Sequence, residues 1–80
     1  MTALIAMWEV RAADNRLDDL LSWVLERVTE SARVYKSELG EPRVVVIDST
    51  GQAETLLATP PHDLVARAPH CWNFEEVRNG

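Results

Sequence analysis

The chain has 80 residues, of which 46% are apolar, and its 13 acidic and 8 basic residues give a net charge of −5. A chain of this length forms one domain with a thin core, because it buries only about 60% of the surface that its unfolded form exposes. The basic residues are scattered singly, which argues against nucleic acid as a partner because no basic stripe is available to neutralise phosphates. The single cysteine excludes an internal disulfide and is typical of a cytoplasmic protein. The apolar run at the N-terminus is much shorter than the roughly 20 residues of a membrane helix, so we expect no membrane association.

The N-terminal third predicts a strand followed by a helix. Residues 3–11 carry Ile, Trp and Val without helical spacing and predict a strand. Asp14 or Asn15 can cap a helix, and the apolar residues at 17, 20, 21, 24, 28 and 32 then recur on one helical face. The predicted helix runs from about Arg16 to Ser31.

A hairpin is predicted next. Residues 33–39 alternate weakly between polar and apolar side chains and predict an exposed strand. Gly40-Glu41-Pro42 predicts a tight turn, and residues 43–48, RVVVID, form a β-branched run that predicts a third strand.

The last third of the chain has a less regular pattern. Residues 53–58, AETLLA, are compatible with a helical turn, and Thr59-Pro60-Pro61 predicts the start of a short helix that extends to about Arg67. Residues 70–78, HCWNFEEVR, alternate and carry Trp, Phe and Val, which predicts a fourth strand.

The predicted order of elements is β-α-β-β-α-β in a single domain over residues 1–80. This order is typical of the ferredoxin-like plait, an α+β fold with a four-stranded antiparallel sheet and helices on one face. In this arrangement we expect the first and third strands to lie side by side at the centre and to run parallel to each other.

Both faces of these two central strands are apolar. Leu4, Ala6, Trp8 and Val10 alternate with Ile5 and Met7 in the first strand, and Val44 and Val46 alternate with Val45 and Ile47 in the third. Helices can cover only one of the two faces, and a monomer rarely exposes the other as an apolar patch. The sequence therefore predicts a homodimer in which two sheets pack face to face.

The chain resembles the dimeric α+β barrel superfamily, and in particular its small proteins of the antibiotic-biosynthesis-monooxygenase type. The resemblance is carried by the strand-loop-helix LIAMWEVRAADNRLDDLLSWVLERV and the hairpin VYKSELGEPRVVVID, within residues 3–48. It implies dimerisation through the sheet, a ligand pocket between sheet and helices, and an oxygenase activity. The family's tryptophan after the third strand is replaced here by the run from Asp48 to Thr50, and its later histidine corresponds to His62.

Aromatic side chains are the candidate ligand-binding residues. The pocket that the resemblance implies would be lined by Trp8, Trp72 and Phe74, with Tyr35 and His62 beside them. Asn73 would orient an oxygen atom of the ligand. The position of Trp72 depends on strand register, which brings it near either Trp8 or Met7. The alternative interpretation is that these aromatic residues fill a small core and a dimer interface.

The candidate catalytic residues are His62 or His70 as a base, with Asn73 or Tyr35 as a polar partner. His70 and Cys71 are adjacent on a strand, so they face opposite ways and do not form a nucleophile–base pair. His62, His70 and Asp63 are the only plausible metal ligands, but the spacing of the two histidines does not bring them together on a helix, and we expect neither a metal nor another cofactor.

Three functions are compatible with the sequence. The first is a small soluble dimeric protein of the α+β-barrel type that binds a small apolar or aromatic ligand or serves only for assembly. The second is a cofactor-independent monooxygenase or isomerase that acts in the same pocket. The third is an accessory subunit that binds a protein partner through the edge of its second strand.

Overall fold

The structure, a computed structural model, describes residues 4–77 and consists of a four-stranded antiparallel sheet and two helices. Strands β1 to β4 comprise Leu4–Arg11, Arg33–Ser37, Arg43–Asp48 and His70–Glu75, and helices α1 and α2 comprise Leu17–Leu25 and Ala53–Leu56. Ala3 and Arg78, at the ends of two predicted strands, lie outside the described residues. The architecture is α+β and is compatible with a small ferredoxin-like fold.

The strands are ordered β2-β3-β1-β4, and each neighbouring pair is antiparallel. The prediction that β1 and β3 run parallel is wrong, because Ala6 pairs with Asp48 at one end and Arg11 with Arg43 at the other. Helix α1 carries the chain back across the sheet, so β2 runs in the direction of β1, and the following turn reverses the chain into β3. Gly40 allows this turn with a φ of +70°, a conformation that residues with a Cβ rarely adopt.

Both helices pack on the face of the sheet that is formed by the even-numbered residues of β1 and β3. Trp8 lies at the centre of this layer and is only 1% exposed, with Leu20 and Val24 of α1 in the same cluster. The buried apolar residues are Ala6, Trp8, Val10, Ala12, Leu20, Val24, Val44, Val46, Ala53, Leu57 and Leu64. The centre of the layer between sheet and helices is therefore filled by side chains of the chain itself.

Helix α1 is shorter than the predicted span from Arg16 to Ser31. It begins at Leu17 after Arg16, which makes no side-chain capping hydrogen bond, while Asn15 takes a left-handed φ of 62°. It ends at Leu25, although the apolar stripe continues, and Val28 and Ala32 still pack on the core from the turns that follow. None of the helices in the described residues is long and apolar enough to cross a membrane.

The second helix forms at Ala53–Leu56 and not at residues 59–67, where the proline pattern predicted it. Residues 62–64 make a single turn with a hydrogen bond from the Leu64 N–H to the Pro61 carbonyl. The chain beyond them is engaged with the sheet, since Val65 bridges Ala12 and the Ala66 N–H donates to the Arg11 carbonyl at 2.8 Å. Pairing with the end of β1 replaces the helical hydrogen bonds in this segment.

Candidate functional site: the open face of the sheet

The face of the sheet opposite the helices, here called the open face, is the main candidate site. Residues paired directly across neighbouring strands share a face, so the registers fix its composition. Its side chains are those of Ile5, Met7, Glu9, Arg11, Arg33, Tyr35, Ser37, Arg43, Val45, Ile47, His70, Trp72 and Phe74. Neither helix covers these residues, and those on the central strands β1 and β3 are only half-buried.

The middle of the open face is apolar. Met7 lies between Ile47 on one neighbouring strand and Trp72 on the other, and Ile5 lies beside Phe74. The aromatic residues at the sheet edges are strongly exposed: Trp72 by 43%, Phe74 by 49% and Tyr35 by 51%. The alternation thus leaves a second apolar surface on the sheet, as the sequence of β1 and β3 predicted.

One half-buried ion pair interrupts this apolar surface. Arg43 Nη1 donates to Glu9 Oε2 at 3.2 Å, so the two charges neutralise each other within the face. His70 lies across from Glu9 on β4 and stacks on Trp72, with ring centroids 5.7 Å apart and planes inclined by 16°. The polar groups near the centre of the face are therefore already partnered within one chain.

The sheet separates the candidate ligand-binding residues. Trp72 pairs with Met7 and Phe74 pairs with Ile5, so both aromatic side chains lie on the open face. Trp8 pairs with Cys71 and is buried on the opposite face beneath the helices. Trp8, Trp72 and Phe74 therefore do not line one common pocket between the sheet and the helices.

The candidate catalytic residues are also distributed over separate places. His70 and Tyr35 share the open face but lie on the two edge strands, β4 and β2, about 14 Å apart at the strand spacing of a sheet. Asn73 pairs with Ala6 and so belongs to the opposite face, and His62 lies in the turn after Pro61. The structure does not bring His70 together with Tyr35 or with Asn73.

Cys71 lies on the helix-covered side of β4, so His70 and Cys71 face opposite ways, as predicted. Burial raises the pKa of the Cys71 thiol, and the nearby carboxylate of Glu54 raises this pKa further. A raised pKa keeps the sulfur in its thiol form at neutral pH, which is the opposite of an activated nucleophile. In the described part of the chain, no group of three or more His, Cys, Asp or Glu side chains is arranged to hold a metal ion.

Asp48 is an ordered polar residue that the sequence interpretation did not single out. It ends β3, is 1% exposed, and accepts hydrogen bonds from the Thr50 N–H at 2.9 Å, the Thr50 hydroxyl at 2.6 Å and the Gln52 N–H at 3.0 Å. The run Asp48-Ser49-Thr50-Gly51 is a typical turn sequence in which an Asp side chain bonds to the backbone two residues later, and this signal could have identified it. The carboxylate thus organises the loop that leads into α2, and all its bonds are internal.

Comparison with known proteins found no matching protein-family model, no matching curated protein and no matching solved structure. The likeness to the dimeric α+β barrels stays a prediction from the sequence. The geometry of the open face is the basis of the functional proposal that follows.

Proposed function

We propose that this chain is a homodimeric assembly module, in which the open faces of two copies pack against each other. The observation that carries the proposal is the row of apolar side chains across the open face, centred on Met7 between Ile47 and Trp72, on a sheet whose other face is already covered by helices. A second copy of the same sheet is the simplest cover because its surface is equally apolar and of equal size. A ferredoxin-like plait that dimerises in this way corresponds to the α+β-barrel type.

The aromatic residues indicate that such an interface has enough apolar area to form. Tyr35, Trp72 and Phe74 each expose about half of their surface, or about 100 Å² apiece. Covering these residues in both copies would contribute up to about 15 kcal/mol at 25 cal/mol per Å². Association costs about 4–15 kcal/mol in lost freedom of motion, so burial of these aromatic residues can offset even the upper end of this cost, and burial of the central aliphatic residues favours the dimer further.

The ion pair of Glu9 and Arg43 fits the same arrangement. A lone charge at the centre of an apolar interface would be costly to bury, whereas a neutralised pair costs much less. The pair is already formed at 3.2 Å in one chain, so dimerisation would not have to assemble it. The other two arginines of the face, Arg11 and Arg33, lie at the ends of β1 and β2, outside the centre of the face.

The edges of the sheet favour packing through the face and not through added strands. The edge strand β2 carries Arg33 and Lys36, and the other edge strand β4 follows Pro69 and ends at Glu75. Charged residues and proline at edges are devices that prevent strand-to-strand pairing. This argues against the accessory-subunit function through the edge of β2.

The positions of the candidate catalytic residues favour assembly over an oxygenase or isomerase. Such an enzyme would need a base and a polar partner within hydrogen-bond reach of one substrate. His70 and Tyr35 lie on opposite edges of the open face, and the layer beneath the helices is filled around Trp8. A ligand at the centre of that layer would have to displace the core, and the cleft that borders Trp8 beside α2 is lined by Glu54 and Cys71 and contains neither candidate histidine.

The proposal is tested by placing a charge at the centre of the open face. We expect Met7→Glu to convert a dimer into a monomer, because each copy would bury an unpaired carboxylate against the apolar row of its partner. The measurement is the molar mass in sedimentation equilibrium or light scattering from about 1 to 100 μM, with circular dichroism to verify that the variant is folded.

The matched control is Leu39→Glu, which makes the same kind of change at a side chain that is 89% exposed in the β2–β3 turn, away from the open face. This control is expected to stay dimeric. If Met7→Glu does not fold, Phe74→Glu at the sheet edge replaces it. A wild-type chain that is monomeric at 100 μM, or a Leu39→Glu chain that dissociates as readily as the open-face variants, would contradict the proposal.

A further inference from the structure

A second surface feature, independent of the open face, is an apolar cleft of about 400 Å³ formed by residues 58–69. Its walls include Ala58, Pro60, Val65 and Pro69, and two nitrogen-bearing side chains, His62 and Arg67, also line it. Its size falls within the range of small-molecule sites, which are mostly apolar with a few polar groups that orient the ligand. This loop cleft lies in the segment between α2 and β4 and shares no lining residue with the open face.

The loop cleft has fixed walls although it contains little regular structure. Proline side chains at 60 and 69 restrict the backbone on two sides. The Ala66 N–H donates to the Arg11 carbonyl at 2.8 Å, and the Ala13 N–H donates to the Leu64 carbonyl at 2.9 Å, which ties the segment to the end of β1. A cleft that is held in place before binding loses little conformational entropy when a ligand enters.

The charges around the loop cleft are unusual for this acidic chain. No acidic residue is among its described lining residues, although the net charge of the chain is −5. Three other clefts in the described region each include at least one carboxylate: Glu76, Glu54, or the pair Asp18 and Glu38. The electrostatic character of the loop cleft is therefore set by Arg67 and His62.

Arg67 is available for a ligand. Within residues 4–77, ion pairs engage Arg11, Arg16, Arg27, Lys36 and Arg43, but none involves Arg67. The acid nearest to His62 in sequence, Asp63, pairs instead with Arg16 at 3.4 Å. A guanidinium beside an apolar wall is suited to a carboxylate, which it can bind with two parallel hydrogen bonds.

We propose that the loop cleft binds a small amphipathic carboxylate, with its apolar body against Val65 and the proline walls and its carboxylate on Arg67. His62 supplies a second hydrogen-bond donor. Because the cleft is open to solvent, the affinity is modest, and a ligand of roughly 14 non-hydrogen atoms is expected to bind with a Kd of about 1 mM.

The test is a chemical-shift titration of the isotope-labelled full chain with three probes that share a 1-naphthylmethyl group, of which the first two also have the same shape. These are 1-naphthylacetate, its uncharged amide 1-naphthylacetamide, and the cationic 1-naphthylmethylamine. We expect the carboxylate to shift the amide signals of residues 58–69 and to bind at least about tenfold more tightly than the amide, because a charge-assisted hydrogen bond is lost in the amide. Equal affinity for carboxylate and amide, preference for the amine, or no shift in this segment at about 10 mM overturns the proposal.

Variants identify the residue that selects the charge. Arg67→Ala is expected to remove the preference for the carboxylate over the amide, while Arg67→Lys keeps part of it. The control is Lys36→Ala, which removes another exposed cation, on β2, outside both the lining of the loop cleft and the open face. If Lys36→Ala abolishes the carboxylate preference and Arg67→Ala does not, the anion is not bound in the loop cleft. The result does not depend on dimerisation, which the molar mass reports separately.

Discussion

Asp48 shows how a single buried carboxylate can hold a loop in place. Burial by itself would raise its pKa, but hydrogen bonds from the Thr50 hydroxyl and from the backbone of Thr50, Gln52 and Ala53 outweigh it and hold the pKa below the ordinary value of 3.8. We expect Asp48→Asn to lower the free energy of unfolding at pH 7 by about 2–3 kcal/mol. The NH2 group of the Asn side chain would face a backbone N–H that now donates to a carboxylate oxygen, so that N–H would lose its acceptor. Urea unfolding at fixed protein concentration measures this change.

The same residue predicts a pH dependence. A carboxyl whose pKa is lower in the folded state stabilises the fold above its unfolded pKa, and this contribution is lost as the pH falls through the folded pKa. The difference in the free energy of unfolding between wild type and Asp48→Asn should therefore have its full size at pH 7 and shrink below about pH 4. Asp14→Asn, at an exposed carboxylate, is the control and should change little at either pH. If this difference stays constant down to pH 2, the negative charge of Asp48 does not contribute to the stability of the fold.

At the residue scale, alternation along a strand could be predicted from the sequence, whereas register between strands could not. The opposite facing of His70 and Cys71 needs only the two-residue period of a strand and is confirmed. The position of Trp72 depends on which residue of β1 it pairs with, and the structure pairs it with Met7, away from Trp8. Register is set by packing between distant segments, so the composition of the candidate site could be predicted only in part.

At the scale of elements, the end of α1 depends on local contacts that the apolar stripe of the sequence does not reveal. Arg27 places its guanidinium 4.5 Å from the ring centroid of Trp23 and donates to the Trp23 carbonyl at 3.1 Å, one of the carbonyls left open where the helix stops. We expect Arg27→Ala to lower the free energy of unfolding by about 1 kcal/mol, through loss of this C-terminal cation and its contact with the ring. The free energy of unfolding of Arg27→Lys should lie between the values for the wild type and for Arg27→Ala.

The control for this prediction is Glu30→Ala, an exposed change in the turns that follow the same helix. It should alter the free energy of unfolding by less than about 0.5 kcal/mol. Urea unfolding monitored by tryptophan fluorescence measures both variants. Equal effects of Arg27→Ala and Glu30→Ala would mean that the Arg27 side chain does not stabilise the end of α1.

The position of the second helix illustrates why local patterns fail in an irregular segment. Thr59-Pro60-Pro61 has the composition of a helix start, yet the helix forms earlier, at Ala53–Leu56, where the bonds of Asp48 organise the preceding turn. Residues 64–66 instead satisfy their backbone groups on Arg11 and Ala13. These partners are about 50 positions away in sequence, so no window of local propensity contains the interaction that decides the outcome.

For the whole molecule, the two-sided apolar character of β1 and β3 is the sequence feature with the widest consequences. It predicted a sheet with apolar side chains on both faces, and the structure has the core of Trp8 and its neighbours on one face and the row around Met7 on the other. A chain of 80 residues has little core to spare, so burial of this face in the proposed dimer would link folding to association.

If folding and dimerisation are linked, the stability must depend on protein concentration. A hundredfold rise in concentration adds about 2.7 kcal/mol per dimer by mass action, which should raise the Tm by about 5–10 °C. Met7→Glu, which would remain monomeric, should show a Tm that is independent of concentration and lower than that of the wild type, because the apolar row of its open face stays in water. Differential scanning calorimetry from about 5 to 500 μM measures both chains. A wild-type Tm that does not change over this range would mean that the sheet is stable without a partner and that the open face is not buried in the folded state.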